Sequence, residues 1–131
     1  MIILDTCAII YDALDPKQLS KKAQQCIEQY GKENLLYCSD ISLWEIAMLI
    51  QKKRIDPGIE TEAFLELILE SRRLQVINIT SKIAAFSAEE AWMKHFDPAD
   101  RIIAATTIVH QGKLVTCDKK LQQVTDLHVI W

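Results

Sequence analysis

An α/β fold, with a mostly parallel sheet of four to five strands and helices on both faces, is predicted by three features of the sequence. Short apolar runs suited to strands recur along the chain, and stretches with helical spacing separate them, an alternation that implies βαβ units. Two of those runs end on a carboxylate, Asp5 after residues 2–4 and Asp118 after residues 114–116. Sites in open α/β sheets are built at the carboxyl ends of parallel strands.

The elements follow in order. Residues 2–4 form the first strand, and residues 7–14 a short helix that stops near Asp15-Pro16. Residues 17–30 put Leu19, Ala23, Cys26, Ile27 and Tyr30 at helical spacing, and Gly31 is expected to stop that helix. Residues 35–38 are the second strand. Ser39-Asp40 offers N-cap chemistry for a helix over 41–53, whose core face is Leu43, Ile46, Ala47 and Ile50. Asp56-Pro57-Gly58 reads as a turn. Residues 61–73 form a helix capped by Thr61 and ending in Arg72-Arg73, where cations suit the helix dipole. Residues 74–79 are the third strand, and 81–95 are helical with a break near Ser87. Asp97-Pro98 opens a helix running to His110, closed by Gln111-Gly112. Residues 113–117, 119–124 and 128–131 complete the chain as strand, helical turn and strand.

At 131 residues the chain is expected to be one domain, burying roughly 65–70% of its unfolded surface. The net charge of −3 supplies no overall positive field for a polyanion, so nucleic-acid binding has to use local basic patches or another subunit. The first apolar run is too short for a signal peptide or membrane span. Cys7, Cys26, Cys38 and Cys117 form no CxxC pair and no metal-ligand spacing, so four reduced thiols in a cytoplasmic protein are expected. Cys7 and Cys117 lie in apolar runs and are taken as small core residues.

Two further acids stand in unusual surroundings. Glu45 sits in SLWEIAML, with Ile41, Ser42, Met48 and Leu49 as its helical neighbours. It is either an acid on a solvated edge or a costly carboxylate that needs a cation or donors. Asp100 lies in DPADRIIAATT, where Pro98 suits the first helical position and Asp97 the N-cap. Its plain role is dipole pairing with a capping box; the alternative is a metal ligand at the mouth of a buried helix. Asp118 has the same two readings, a turn or N-cap residue before Lys119 or a ligand. If Asp5, Glu45, Asp100 and Asp118 share one cleft, they repel unless a divalent ion neutralises them. Oxygen ligands without His or Cys favour a hard ion, Mg²⁺ or Mn²⁺, suited to chemistry on phosphates.

The segments ILDTCAII, SLWEIAML, DPADRIIAATT and LVTCDKKL, in this order and spacing, resemble the PIN-domain nucleases, most closely the small VapC-type toxins of bacterial toxin–antitoxin pairs. The resemblance spans essentially the whole chain and implies a PIN-like three-layer α/β/α fold. It implies that Asp5, Glu45, Asp100 and Asp118 form a Mg²⁺ centre in which Mn²⁺ can substitute. Thr6 and Thr116 match the hydroxyl positions beside the first and last acids, and Asp97 matches an acid that is N-cap first and secondary ligand second. Arg101 also fits, as surface charge or an ion pair with Asp97, or as a contact to phosphate or a partner's acid. The implied activity is a metal-dependent endoribonuclease leaving 5′-phosphate and 3′-hydroxyl ends. A homodimer and a cognate antitoxin are the implied partners.

Outside the motifs, Lys119 and Lys120 are the best RNA-contact candidates because they follow Asp118, whereas Lys52-Lys53-Arg54 and Arg72-Arg73 read as solvated helix ends. His95 and His110 read as helix-end residues, and Trp44, Trp92 and Trp131 as core or interface. The helices beginning at Ile41 and Thr61 are candidate dimer surfaces. An aspartate-based phosphohydrolase is disfavoured because Cys7 stands where its second acid belongs, and a receiver domain because Thr6 replaces an adjacent acid. A PIN-fold module that only binds or regulates is the remaining alternative.

Overall fold

Five short strands, all parallel, form one sheet in the order β3-β2-β1-β4-β5. They are β1 Ile2–Leu4, β2 Leu36–Ser39, β3 Gln75–Ile77, β4 Lys113–Val115 and β5 His128–Ile130, in a computed structural model that describes residues 1–131. The central strand is β1: Ile3 pairs with Tyr37 on one side and Leu114 on the other. Covered on both faces, it reads as an unbroken apolar run. Of the outer strands, β3 is largely exposed and β5 is half-buried.

Seven α-helices cover the sheet: α1 Thr6–Leu14, α2 Lys21–Lys32, α3 Asp40–Gln51, α4 Thr61–Ser71, α5 Ser81–Glu89, α6 Pro98–Val109 and α7 Lys119–Gln122. Alternation along β1 divides the interior in two. Ile2 and Leu4 join a core made by Ile9 of α1, Ile27 of α2, Ile46 of α3 and Phe64 and Ile68 of α4. Ile3 faces the other way, against Ile83 of α5, Ile103 and Ala104 of α6, Leu114 and Leu121. The result is a three-layer α/β/α sandwich. The chain leaves β1 toward β2 on one side and later returns to β4 on the other. That reversal makes a crevice at the carboxyl ends of β1 and β4, where such sheets bind ligands.

Several boundaries differ from the sequence reading, each for a local reason. Residues 17–30 are not one helix: a 3₁₀ turn spans Pro16–Gln18, and α2 starts at Lys21 because the Ser20 hydroxyl accepts from the Ala23 N–H. Gly31 lies inside α2; one glycine costs a helix about 1 kcal/mol, which the burial of Ala23, Cys26 and Ile27 outweighs. Thr61 is the first residue of α4, and Glu60 holds the cap position without a side-chain bond. The break after α5 comes at Glu90, whose backbone is extended, and not at Ser87, whose hydroxyl donates within the helix to the Ala84 carbonyl. In the turn, Gly58 at φ +72° donates its N–H to Asp56 Oδ1. No helix is long and apolar enough to cross a membrane.

Two of the tryptophans pack against the cores, Trp92 on the α5–α6 side and Trp131 on the other, and Trp44 does not. Trp44 is 59% exposed, and Trp92 and Trp131 are half-buried. On α3 the buried face is Ser42 and Ile46, while Leu43, Ala47 and Ile50 are half-buried. α3 meets one core through Ile46 and Ile50 and the other through Ile41, and leaves Trp44 open to solvent.

Candidate functional site

Asp5 sits where β1 surfaces and becomes the N-cap of α1, its Oδ1 accepting from the Thr6 N–H at 2.8 Å. Its Oδ2 accepts from the Thr116 hydroxyl at 2.6 Å, and Thr116 in turn accepts from the Asp118 N–H at 3.0 Å. One buried hydroxyl therefore spans the two strand-end acids. Asp118 caps α7, with Oδ1 receiving the N–H groups of Lys120 and Leu121. That is the plain role weighed for it, and it leaves Oδ2 without a protein partner.

Glu45 reaches the same place from α3. The Thr6 hydroxyl donates to its Oε1 and lies 3.0 Å from Ser42 Oγ. Asp100 arrives on the first turn of α6, whose residues Ile103 to Thr107 are all buried. It forms no capping box. Asp97 holds the N-cap position of α6, but its side chain makes no capping bond and is exposed at the rim.

Asp5, Glu45, Asp100 and Asp118 line a single cleft of about 390 Å³ with Thr6, Cys7, Tyr11 and Cys117, and no Lys, Arg or His lines it. Electrostatics register the crowding. Burial first, then Asp5, Asp118, Glu45 and Asp97, pushes the Asp100 carboxyl up to about 7. Burial raises Asp5 too, against the bonds from Thr116 and Thr6, and raises Glu45 against its bond from Thr6. The one ion pair in the molecule lies elsewhere, between Arg72 and Asp12.

An all-oxygen set of unpaired carboxylates is the donor chemistry of a hard divalent ion. The fit is of composition: no three His, Cys, Asp or Glu side chains converge closely enough to form a ready-made cage. Capture therefore requires the carboxylates to close around an ion. A second cleft, of about 400 Å³ between α1 and α4, is mostly apolar, and its single acid is the ion-paired Asp12.

Other expected residues lie outside the cleft. Arg101 makes no ion pair with Asp97; its Nε donates to the Ser87 carbonyl at 3.0 Å and an Nη to that of Ala88 at 3.4 Å, tying α6 to the end of α5. Lys120 donates Nζ to the His95 carbonyl at 2.9 Å and lies 5.1 Å from the Phe96 ring centroid, while Lys119 is exposed. His95 and His110 are helix-end residues, as expected.

Cys7 and Cys117 correct the sequence reading. They are half-buried cleft residues rather than core, with their sulfurs 2.8 Å apart. The apolar runs around them concealed this. The usable signal was their spacing from the acids, Cys7 two residues after Asp5 and Cys117 one before Asp118, combined with the pairing of β1 and β4.

A parallel α/β/α sandwich with acids gathered at its switch point defines a class of α/β proteins with an acidic strand-end site. The PIN domain family matches residues 2–127. Ribonuclease VapC22 of Mycobacterium tuberculosis is 32% identical over 121 residues, covering 92% of this chain and 89% of that protein. The chain belongs to the PIN-domain family. Among solved structures, VapBC2 from Rickettsia felis, bound to a promoter DNA fragment, matches with TM-score 0.75 and 22% identity over 98% of this chain and 97% of that one. A toxin–antitoxin complex from Klebsiella pneumoniae matches at TM-score 0.61 and 23% identity, over 97% and 95% of the two chains.

Proposed function

We propose that the protein is a Mg²⁺-dependent endoribonuclease acting as the toxin of a toxin–antitoxin pair. The observation that carries this reading is the gathering of Asp5, Glu45, Asp100 and Asp118 in one cleft that no basic side chain lines. The relative named as a ribonuclease supports RNA as substrate, and the Klebsiella pneumoniae structure, a toxin–antitoxin complex, supports an antitoxin partner.

In this reading Asp5, Asp100 and Asp118 hold the ion, Glu45 completes the centre or orients the attacking water, and Asp97 is a secondary ligand at the rim. A divalent ion there, Mg²⁺ or Mn²⁺, supplies charge neutralisation on the phosphodiester and lowers the pKa of a bound water. Thr116 fixes Asp5 relative to Asp118, and Thr6 aims the Glu45 carboxylate. Water attacks in line, so no side chain becomes covalently attached; the 3′ oxygen leaves, giving 5′-phosphate and 3′-hydroxyl ends, as the family resemblance implies. Lys119, exposed beside Asp118, is the better of the two lysines for a phosphate contact, because Lys120 is committed to His95 and Phe96. Trp44 on α3 and Leu67 on α4, both more than half exposed, are where we place contact with a second copy or the antitoxin.

One second reading uses the same cleft, a PIN-fold module that holds a metal or a partner there without cutting. Asp5→Asn separates the two. The ribonuclease reading expects Mg²⁺-dependent cleavage of RNA by the wild type and its loss in a folded variant. Equal cleavage by both proteins, or none by either with Mg²⁺ or Mn²⁺ present, rejects it.

A further inference from the structure

We propose that Cys7 and Cys117 are a redox-sensitive pair that closes into a reversible disulfide at the wall of the acidic cleft. Their sulfurs stand 2.8 Å apart although the residues are 110 positions apart in sequence, and the Cys117 N–H also donates to Cys7 Sγ at 3.4 Å. The sheet creates this meeting. Leu4 of β1 pairs with Val115 of β4, and the Asp5 N–H donates to the Val115 carbonyl, so both chains leave the sheet side by side. Cys7 lies in the first turn of α1, just past the end of β1, and Cys117 follows the end of β4, so the two side chains meet at the paired strand ends. Both thiols are partly open to solvent in the cleft, whereas Cys26 and Cys38 are buried in the core on other elements.

The chemistry needs an oxidant, and a low-molecular-weight disulfide such as oxidised glutathione suffices. One protein thiolate attacks a sulfur of that disulfide, forming a mixed disulfide and expelling one small thiolate. The second protein thiolate attacks the protein-bound sulfur, forming the Cys7–Cys117 bond and expelling the other. The two thiol protons pass to the leaving thiolates. The protein loses two hydrogens, and the oxidant becomes two small thiols.

The bond would act on the acids. Cys7 Sγ donates toward Asp5 Oδ2 at 3.6 Å, and oxidation removes that proton. It also ties the turn after β1, which carries Asp5, to the turn after β4, which carries Asp118. Because no three ligands converge as they stand, the carboxylates have to draw together to hold an ion, and the crosslink fixes the backbone from which Asp5 and Asp118 reach. This last consequence rests on the metal-centre reading proposed above.

The test uses the full chain equilibrated with oxidised and reduced glutathione, blocked with iodoacetamide and mapped by peptide mass spectrometry. The expected product joins the Cys7 and Cys117 peptides, leaves Cys26 and Cys38 alkylated, and disappears with dithiothreitol. Cys7→Ser and Cys117→Ser should each abolish the crosslink and leave the remaining cleft thiol as a mixed disulfide. Alkylation of both cleft cysteines, a glutathione retained on each, or a crosslink through Cys26 or Cys38 overturns the pairing. In calorimetric Mn²⁺ titrations the oxidised chain should bind about tenfold or more weakly than the reduced chain. Equal affinity overturns the effect on the acids. Binding to neither form rejects the metal-centre reading, while the peptide map still decides the pairing.

Discussion

The hydroxyl of Thr116 donates to Asp5 Oδ2 at 2.6 Å and accepts from the Asp118 N–H, so one buried side chain sets the spacing of the two strand-end acids. Thr116→Val keeps the shape and removes both bonds. It strands a backbone donor and frees a carboxylate that is meant to be held. The expected cost is about 1–3 kcal/mol of stability. Mn²⁺ affinity and RNA cleavage should fall roughly 10–100-fold, the usual effect of losing a group that orients a ligand. Thr116→Ser should recover most of both. Urea unfolding, metal titration and cleavage of a labelled RNA measure the three quantities.

The Asp100 carboxyl, at about 7 in the folded chain against 3.8 unperturbed, makes the metal-free protein sensitive to pH. The folded state binds this proton more tightly than the unfolded state, so its stabilising contribution is complete below about pH 4. It declines as pH rises and is gone above about 7. Asp5 and Glu45 are raised too and act in the same direction. With a chelator present, the thermal midpoint should drop between pH 5 and 8, and Asp100→Asn should flatten that slope. Added Mn²⁺ should restore the midpoint most strongly at the alkaline end, where the carboxylates are ionised.

Lys119 and Lys120 are neighbours with different work. Both are exposed, but Lys120 reaches the His95 carbonyl and the Phe96 ring, whereas the Lys119 side chain makes no bond. Lys119→Ala should weaken RNA binding without changing the thermal midpoint, and should lower the slope of log affinity against log salt by about one. Lys120→Ala should lower the midpoint. Filter binding at several salt concentrations, beside thermal melts, distinguishes the two. A Lys119 variant with an unchanged salt slope rejects the phosphate contact.

Much of this architecture was legible because local pattern and tertiary role agree. Residues 2–4 and 114–115 look like buried parallel strands, and they lie side by side in the middle of the sheet; the small residues around Ala104 look like a buried helix, and they are. The acids were legible through their surroundings, since Asp5 and Asp118 end strands and Glu45 and Asp100 sit in apolar helices. What was not legible depends on which strands are neighbours. The contact between Cys7 and Cys117 follows from the β1–β4 pairing, and Arg101 finds the Ser87 carbonyl only because α5 packs on α6. The start of α2 failed because Ser20, read as lying inside a helix over 17–30, is the N-cap, its hydroxyl accepting from the Ala23 N–H.

The pair Arg72–Asp12 gives the last prediction, on stability alone. Arg72 follows α4, and its Nε and an Nη each reach a different oxygen of Asp12 on α1 at 2.9 Å. Two parallel bonds to a mostly buried carboxylate outweigh the near-zero value of an exposed ion pair. Arg72→Ala should therefore lower the free energy of unfolding by about 1–3 kcal/mol, partly because it leaves Asp12 without its partner. Arg72→Lys should recover little, since an ammonium cannot present the paired donors. Arg73, whose contact is a 3.3 Å bond to exposed Asn34, should lose less than about 0.5 kcal/mol on truncation to Ala. Urea titrations of the three variants measure the order. If Arg72→Ala and Arg73→Ala prove equal, the bridge contributes nothing, and the α1–α4 contact is held by the apolar packing of Ile9, Phe64 and Ile68 alone.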